Sequence, residues 1–329
     1  MLSRVANSLY WLSRYVERAE NLTRLVDVAH DRVLETGLSN NAETWQSALY
    51  AICSTESYEE ATGIEGNDLD VGRFITFSSS NPDSIRRCFA LARENARMVR
   101  DQISEEMWLE LNSAHLFMKS EQAETLWLQH PGSLYREVVK FCLLFEGLIE
   151  GTILHDEGWH FIQVGKFLER ADKTSRILDM LTYESENDRA MLISVLRSCS
   201  GLAAFRSEFR SDVTLENVFA FLLFSNSFPR SVRFCLRQTD NLLHAISGMP
   251  GGSFANEAER VTGSVLAQMN FSNVENVLSI GLHQYIDDLQ SQVNEIGQRV
   301  FETYVLLPSE VQNIAGTENW QLQWQQQQQ

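Results

Sequence analysis

Ser8–Asp27 reads SLYWLSRYVERAENLTRLVD, and His160–Asp179 reads HFIQVGKFLERADKTSRILD. At a constant shift of 152 positions, Glu17 falls on Glu169, Arg18 on Arg170, Ala19 on Ala171, Arg24 on Arg176 and Asp27 on Asp179. Glu20 meets Asp172, and Tyr15 meets Phe167. A second match lies at a shift of 147, between VGRFITFSSSNPDSIRRC (Val71–Cys88) and VFAFLLFSNSFPRSVRFC (Val218–Cys235). There Pro82 pairs with Pro229, Ser84 with Ser231 and Arg86 with Arg233. Two blocks in the same order, offset by a loop-sized indel, predict an internally duplicated chain. The expected halves are residues 1–154 and 155–308, packed as one unit. So long a period indicates a duplicated bundle and not a short-repeat solenoid.

The fold class expected is all-α. Leu2 to Glu35 holds no Gly or Pro, and Gly37 offers a C-cap. Asn81-Pro82 reads as a cap followed by Pro at the first helical position. Ser104-Glu105-Glu106 opens another helix, and Leu134–Leu154 is a long apolar one. After the second charged helix, which starts near Asp156, helices are expected at 187–204, 214–224, 230–246, 255–269 and 273–305. Gly63–Asp70 and Gly248–Gly252 read as loops. Residues 309–329, ending in WQLQWQQQQQ, read as a disordered Gln-rich tail.

The chain has 329 residues, 44% of them hydrophobic, with only five prolines and 17 glycines, which favours long helices around a large core. Its net charge of −17 argues against nucleic-acid and membrane-surface roles. Five scattered cysteines without a C-x-x-C suit reduced thiols in the cytoplasm. Arg4, Arg14, Glu17 and Arg18 rule against reading the N-terminus as a signal peptide. No apolar stretch reaches the ~20 residues needed to span a bilayer.

On a helical wheel Leu9, Leu12, Val16, Ala19, Thr23 and Val26 form one apolar seam. Beside it runs a second stripe, Ser13, Glu17, Glu20, Arg24 and Asp27, matched by Gly165, Glu169, Asp172, Arg176 and Asp179. The small residue heading each stripe lets a neighbour approach closely. Tyr10, Leu25 and Val28 lie beyond the stripe, so the charges are expected in a semi-buried groove or between packed helices. Such charges must be paired. Glu20–Arg24 and Asp172–Arg176 have i,i+4 spacing in the better orientation. Across a pseudo-twofold, Glu17 is expected to face Arg176, and Glu169 to face Arg24.

Two readings of this stripe compete. One is a structural ion-pair network. The other is a carboxylate-bridged metal centre built from Glu17, Glu20, Glu169 and Asp172, with Glu157 and His160 supplying a Glu-x-x-His. Against the metal, Glu157 and His160 fall on Val5 and Ser8 in the other copy, and the arginines already supply the positive charge. A separate cluster, Arg93, Glu94, Asn95 and Arg97, with Arg86 and Arg100 near it, offers either an anion grip or a solvated face. Gln238, Asp240 and Asn241 replace it in the second half. Phosphate-loop, nucleophile-elbow and zincin motifs are absent from the sequence, which favours a binding protein without a built-in cofactor.

The opening MLSRVANSLYWLSRYVERAENLTRLVD resembles the start of bacterial alpha-E domain proteins, a helical family named for its glutamates. NPDSIRRCFALARENARMVRDQISEEMW and DEGWHFIQVGKFLERADKTSRILD are similar to its other hallmark segments. The resemblance implies that Glu17, Arg18, Glu20, Arg24, Arg93, Glu94, Asn95 and Arg97 are family positions. In the second half it implies the same for Glu157, Glu169, Arg170 and Arg176. It also implies a gene neighbourhood with a circularly permuted ATP-grasp protein similar to peptide (amide) ligases, and often a transglutaminase-like protein. The expected function is a non-catalytic accessory or scaffold that holds the ligase or its peptide substrate. The alternatives are a carboxylate-ligated metalloenzyme and a purely structural homo-oligomer.

Overall fold

The computed structural model describes residues 1–36, 41–65, 70–183, 189–210 and 212–306, and every regular element among them is a helix. The chain begins with α1 (Ser3–Thr36), α2 (Asn41–Ala51), α3 (Thr55–Glu65) and α4 (Val71–Phe77). It continues through α5 (Ile85–Met98), α6 (Glu105–Lys119), α7 (Glu121–Gln129) and α8 (Pro131–Thr152). Next come α9 (Glu157–Tyr183), α10 (Arg189–Ser198), α11 (Leu202–Phe209) and α12 (Leu215–Phe224). It closes with α13 (Val232–Ser247), α14 (Glu257–Asn270), α15 (Val274–Ile280) and α16 (Leu282–Tyr304). The Gly37 cap, residues 66–69 of the expected 63–70 loop and the Gln-rich tail fall outside the described residues.

Local signals account for most of these ends. Ser104 accepts the N–H of Met107, with Glu105 and Glu106 in the first turn of α6, where acids complement the helix dipole. Pro131 occupies the first turn of α8. The Asn81-Pro82 expectation is corrected: α5 starts at Ile85 with Ser84 as its cap. Asn81 instead accepts the N–H of Asp83 at 2.9 Å, so its side chain closes a turn rather than a helix end. The helix expected over 187–204 is two helices. The N–H of Gly201 bonds Leu196 O and that of Ser200 bonds Arg197 O, with Ser200 left-handed at φ 53°. This is a Schellman closure with serine where glycine is usual. Cys53, at φ 52°, closes α2 the same way, so neither stop carries the expected glycine signal. The helix expected over 273–305 breaks at Gly281, whose φ of 104° only glycine adopts readily. Gly63 lies inside α3.

The two long charged helices stand at the centre, packed side by side. α1 is flanked by α5 and α8, and α9 by α13 and α16. One continuous hydrophobic core runs from Ala6 to Val300 and includes Leu9, Leu12, Ala19, Val26, Leu168, Ala171 and Leu178. Ser8–Thr23 are buried without a break, so α1 is enclosed on every face over more than four turns. No described helix is long and apolar enough to cross a membrane.

The helices α1 and α9 approach closely at Gly165. A Cβ there would lie 2.3 Å from Tyr10 O and 2.4 Å from Ser13 Oγ. Gly165→Ala is therefore expected to force the helices apart, at the upper end of the ~1–3 kcal/mol that overpacking costs. Gly147, on the exposed side of α8, has nothing within 4 Å of such a Cβ. Gly147→Ala is expected to stabilise by about 0.5–1 kcal/mol through helix propensity. Urea unfolding of the two variants should give opposite signs; equal signs would contradict this packing.

Candidate functional site

The seam of α1 is buried, as are Ser13, Glu17 and Glu20 of the stripe, while Arg24 and Asp27 are half-buried; charged residues of α1 and α9 meet between the helices. Glu169 is fully buried and receives Arg14 Nε at 2.6 Å and Arg18 Nε at 2.7 Å, one on each carboxylate oxygen. Lys173 stands 3.7 Å away. Glu17 receives Arg170 as a fork, Nε at 2.9 Å and Nη2 at 2.7 Å, and also Arg230 Nη1 and Asn21 Nδ2, each at 2.8 Å. Arg230 reaches on to Glu20 at 2.5 Å, and Arg24 grips the same oxygen at 2.7 Å. Asp172 is held by Arg176 at 3.0 Å and Lys173 at 3.1 Å. Arg18 spends a second donor on Asp83, at 2.6 Å. Aromatic rings flank the cations: Arg14 lies 5.0 Å from the Trp11 centroid and Arg18 5.6 Å from that of Tyr15.

The cross-helix pairing differs from the sequence expectation. Arg24 and Arg176 do not cross over; each is taken by the acid four residues before it in its own helix. The arginine directly after each glutamate makes the crossing, so Arg18 meets Glu169 and Arg170 meets Glu17. Successive residues point about 100° apart on a helix, which lets a Glu-Arg step present its two charges to different neighbours. Sequence reasoning missed Arg14, Asp83, Lys173 and Arg230. One signal was present: Asp83 and Arg230 occupy the same place after the matched prolines, with opposite charge. The acid meets Arg18 and the base meets Glu17.

The remaining candidates lie apart from this cluster. On α5, Arg93 donates to Asn112 and Glu94, Arg97 to Glu94, and Asn95 to the Leu91 carbonyl. Arg93 and Arg100 flank the Trp108 ring at 5.3 and 4.7 Å, so this face is a surface ladder. Asp179 accepts from Tyr50 at 2.8 Å and lies 3.0 Å from His283 Nδ1. Asp27 is half-buried at the edge of a cleft.

The residues weighed for a metal centre have the following partners. Glu157 takes the N-terminal ammonium at 2.9 Å, and His160 lies edge-on to Trp159. Among the described residues, the acid, histidine and cysteine groups that bring three ligand atoms within 4.8 Å are Asp179, His283 and Asp287. Glu17, Glu20, Glu169 and Asp172 are each drawn onto guanidinium or ammonium groups, Glu20 through Oε1 alone.

Electrostatics follow from the pairing. Burial alone would raise the Glu17 carboxyl, but Arg170 and Arg230 overcome it and hold it well below the usual range. Against the same burial, Arg18, Arg14 and Lys173 bring Glu169 down to about 2. Arg176 and Lys173 likewise hold Asp172 low. Burial opposes charge on Arg18, yet Asp83 and Glu169 keep it firmly protonated.

Over residues 1–305 the chain matches the Alpha-E family, described as a predicted alpha-helical domain with a conserved ER motif, and it belongs to that family. It is similar to uncharacterized proteins of Mycobacterium bovis and of Mycobacterium tuberculosis (strain H37Rv), at 24% and 23% identity over 340 residues. These alignments cover 95% of this chain but 38% of the relatives, so the chain spans well under half their length. No solved structure matches it.

Glu169→Gln is expected to cost about 3–5 kcal/mol, because Arg14 keeps only the Tyr10 hydroxyl and two aromatic faces as partners. Adding Arg14→Met should cost less than the sum of the single losses; additive losses would mean solvated, independent charges. The three depressed carboxyls also set an acid limit. Their stabilisation is complete above the unfolded values of about 4 and is lost as pH falls toward about 2. Urea midpoints should therefore be insensitive to these groups between about pH 7 and 5 and fall steeply below about 4. Glu169→Gln should flatten part of that fall.

Proposed function

We propose that this Alpha-E protein is a non-catalytic partner of an ATP-grasp amide ligase, holding the ligase or its peptide substrate. The observation that carries this reading is the saturation of the central cluster. Every carboxylate of the two Glu-Arg steps, Glu17-Arg18 and Glu169-Arg170, is consumed in tying α1 to α9. Groups so committed are poor acids, bases or metal ligands, because freeing one strands a buried charge. A rigid charged spine suits a body that presents surfaces. The ligase itself enters through the family resemblance and its gene neighbourhood. Cytoplasmic placement fits five unpaired cysteines, of which Cys88, Cys142, Cys199 and Cys235 are buried.

The reading includes descent from a duplicated half, with units at 1–154 and 155–308. Its support is the reciprocal exchange of Arg18–Glu169 and Arg170–Glu17. Matched turns add to it: Ser84 N bonds Asn81 O and Ser231 N bonds Phe228 O, 147 positions on.

The test is co-expression with the adjacent ATP-grasp ligase. The tagged chain should retain the ligase through gel filtration, and deleting it should lower the ligation rate at least about tenfold if binding positions the substrate. If no complex forms and ligation does not change, the proposal fails.

A further inference from the structure

A solvent-open cleft of about 470 Å³ lies between α1, α8 and the α10–α11 junction. That volume lies within the range of small-molecule sites. Two narrower, partly open pockets, beside Leu25 and Met191 and beside Tyr10 and Phe161, hold only about 20 and 10 Å³. The cleft is lined by four basic side chains, Arg24, Arg136, Lys140 and Arg197, against one acid, Asp27. In a chain of net charge −17 the bases outnumber the acids along this lining, and low-dielectric walls concentrate the field of cations that face a cleft.

The basic groups differ in how far they are already engaged. Arg24 is held by Glu20, which is itself gripped by Arg230, so its guanidinium is fixed at the cleft edge. Arg197 pairs with Asp31 at 2.5 Å, and Lys140 with Glu137 at 2.6 Å. Arg136 makes no ion pair among the described residues, and its one hydrogen bond goes to Ser133 in its own helix. Arg136 and Lys140 are one turn apart on α8, so they present two cations along one wall. On the facing wall α11 begins at Leu202 and Ala203. Its cap is Gly201, which supplies no side-chain acceptor. The backbone N–H groups of that first turn thus add positive potential to the same space. The floor is rigid, because the buried Tyr135 is pinned by Trp127 at 2.9 Å and lies 3.3 Å from Thr76.

We infer that this cleft binds a small organic or inorganic anion carrying two or more carboxylate or phosphate groups, gripped by Arg136 and Lys140 opposite the first turn of α11. The site is separate from the central ion pairs, and it stands or falls independently of the ligase reading.

The test is calorimetric titration of the full chain at low salt, in a phosphate-free buffer, with citrate and with pyrophosphate. At least one should bind with a dissociation constant below about 1 mM. Citrate alone assigns a carboxylate source, pyrophosphate alone a phosphate source, and either supports the site. Arg136→Ala with Lys140→Ala, both on the surface, should weaken binding at least tenfold while the thermal midpoint stays unchanged. Ala203→Glu, placing a carboxylate at the mouth, should abolish it, and Asp27→Asn should strengthen it. Arg93→Ala with Arg97→Ala, on the α5 face, should leave it intact. The inference is overturned if neither anion binds up to about 10 mM. It is also overturned if the α5 variant loses as much affinity as the cleft variant, or if Asp27→Asn weakens binding.

Discussion

The structure depends on a reciprocal exchange in which the arginine after each glutamate crosses to the glutamate of the other helix: Arg18 to Glu169 and Arg170 to Glu17. Desolvating these charges costs several kcal/mol per ion, and their mutual attraction roughly offsets it. Their net contribution to stability is therefore modest. Their contribution to register is large, because a slip of α1 along α9 would leave buried guanidiniums and carboxylates facing methyl groups. Apolar residues alone could pack these helices in several offsets; the charges select one.

The backbone makes that exchange geometrically available. Gly165 against Tyr10 and Ser13 brings the axes close enough for forked contacts between side chains on both helices. Asp83 and Arg230, delivered by matching turns ahead of α5 and α13, extend the network outward with opposite signs. Through Arg230 the network reaches Glu20 and then Arg24, at the rim of the basic cleft. The rigid interior and the surface that faces ligands are thus parts of one hydrogen-bonded chain. This coupling is why Arg24 is presented in a fixed pose.

Saturation of the central carboxylates moves the search for function to the periphery. A buried carboxylate held in ion pairs gives up its partners' compensation if it takes a proton or a metal, because that strands buried guanidiniums. The cleft, in contrast, carries a cation with donors to spare and a helix start without a side-chain cap. The α5 cluster of Arg93, Glu94 and Arg97 lacks that character, since its arginines are spent on neighbours and on the Trp108 face.

Sequence by itself determined the helical class, the two long charged rods, the own-helix pairs Glu20–Arg24 and Asp172–Arg176, and the small residue at the crossing. All of these are local: they follow from periodicity, propensity and spacing along one chain segment. The tertiary structure alone decided who meets whom across helices. Arg14, Lys173 and Arg230 look like ordinary surface charges in the sequence, and only enclosure by neighbouring helices makes them partners of Glu169, Asp172 and Glu17. The breaks at Cys53 and Ser200 were illegible for another reason: each is closed by local backbone bonds around a left-handed residue that is not glycine, so composition carries no mark of it.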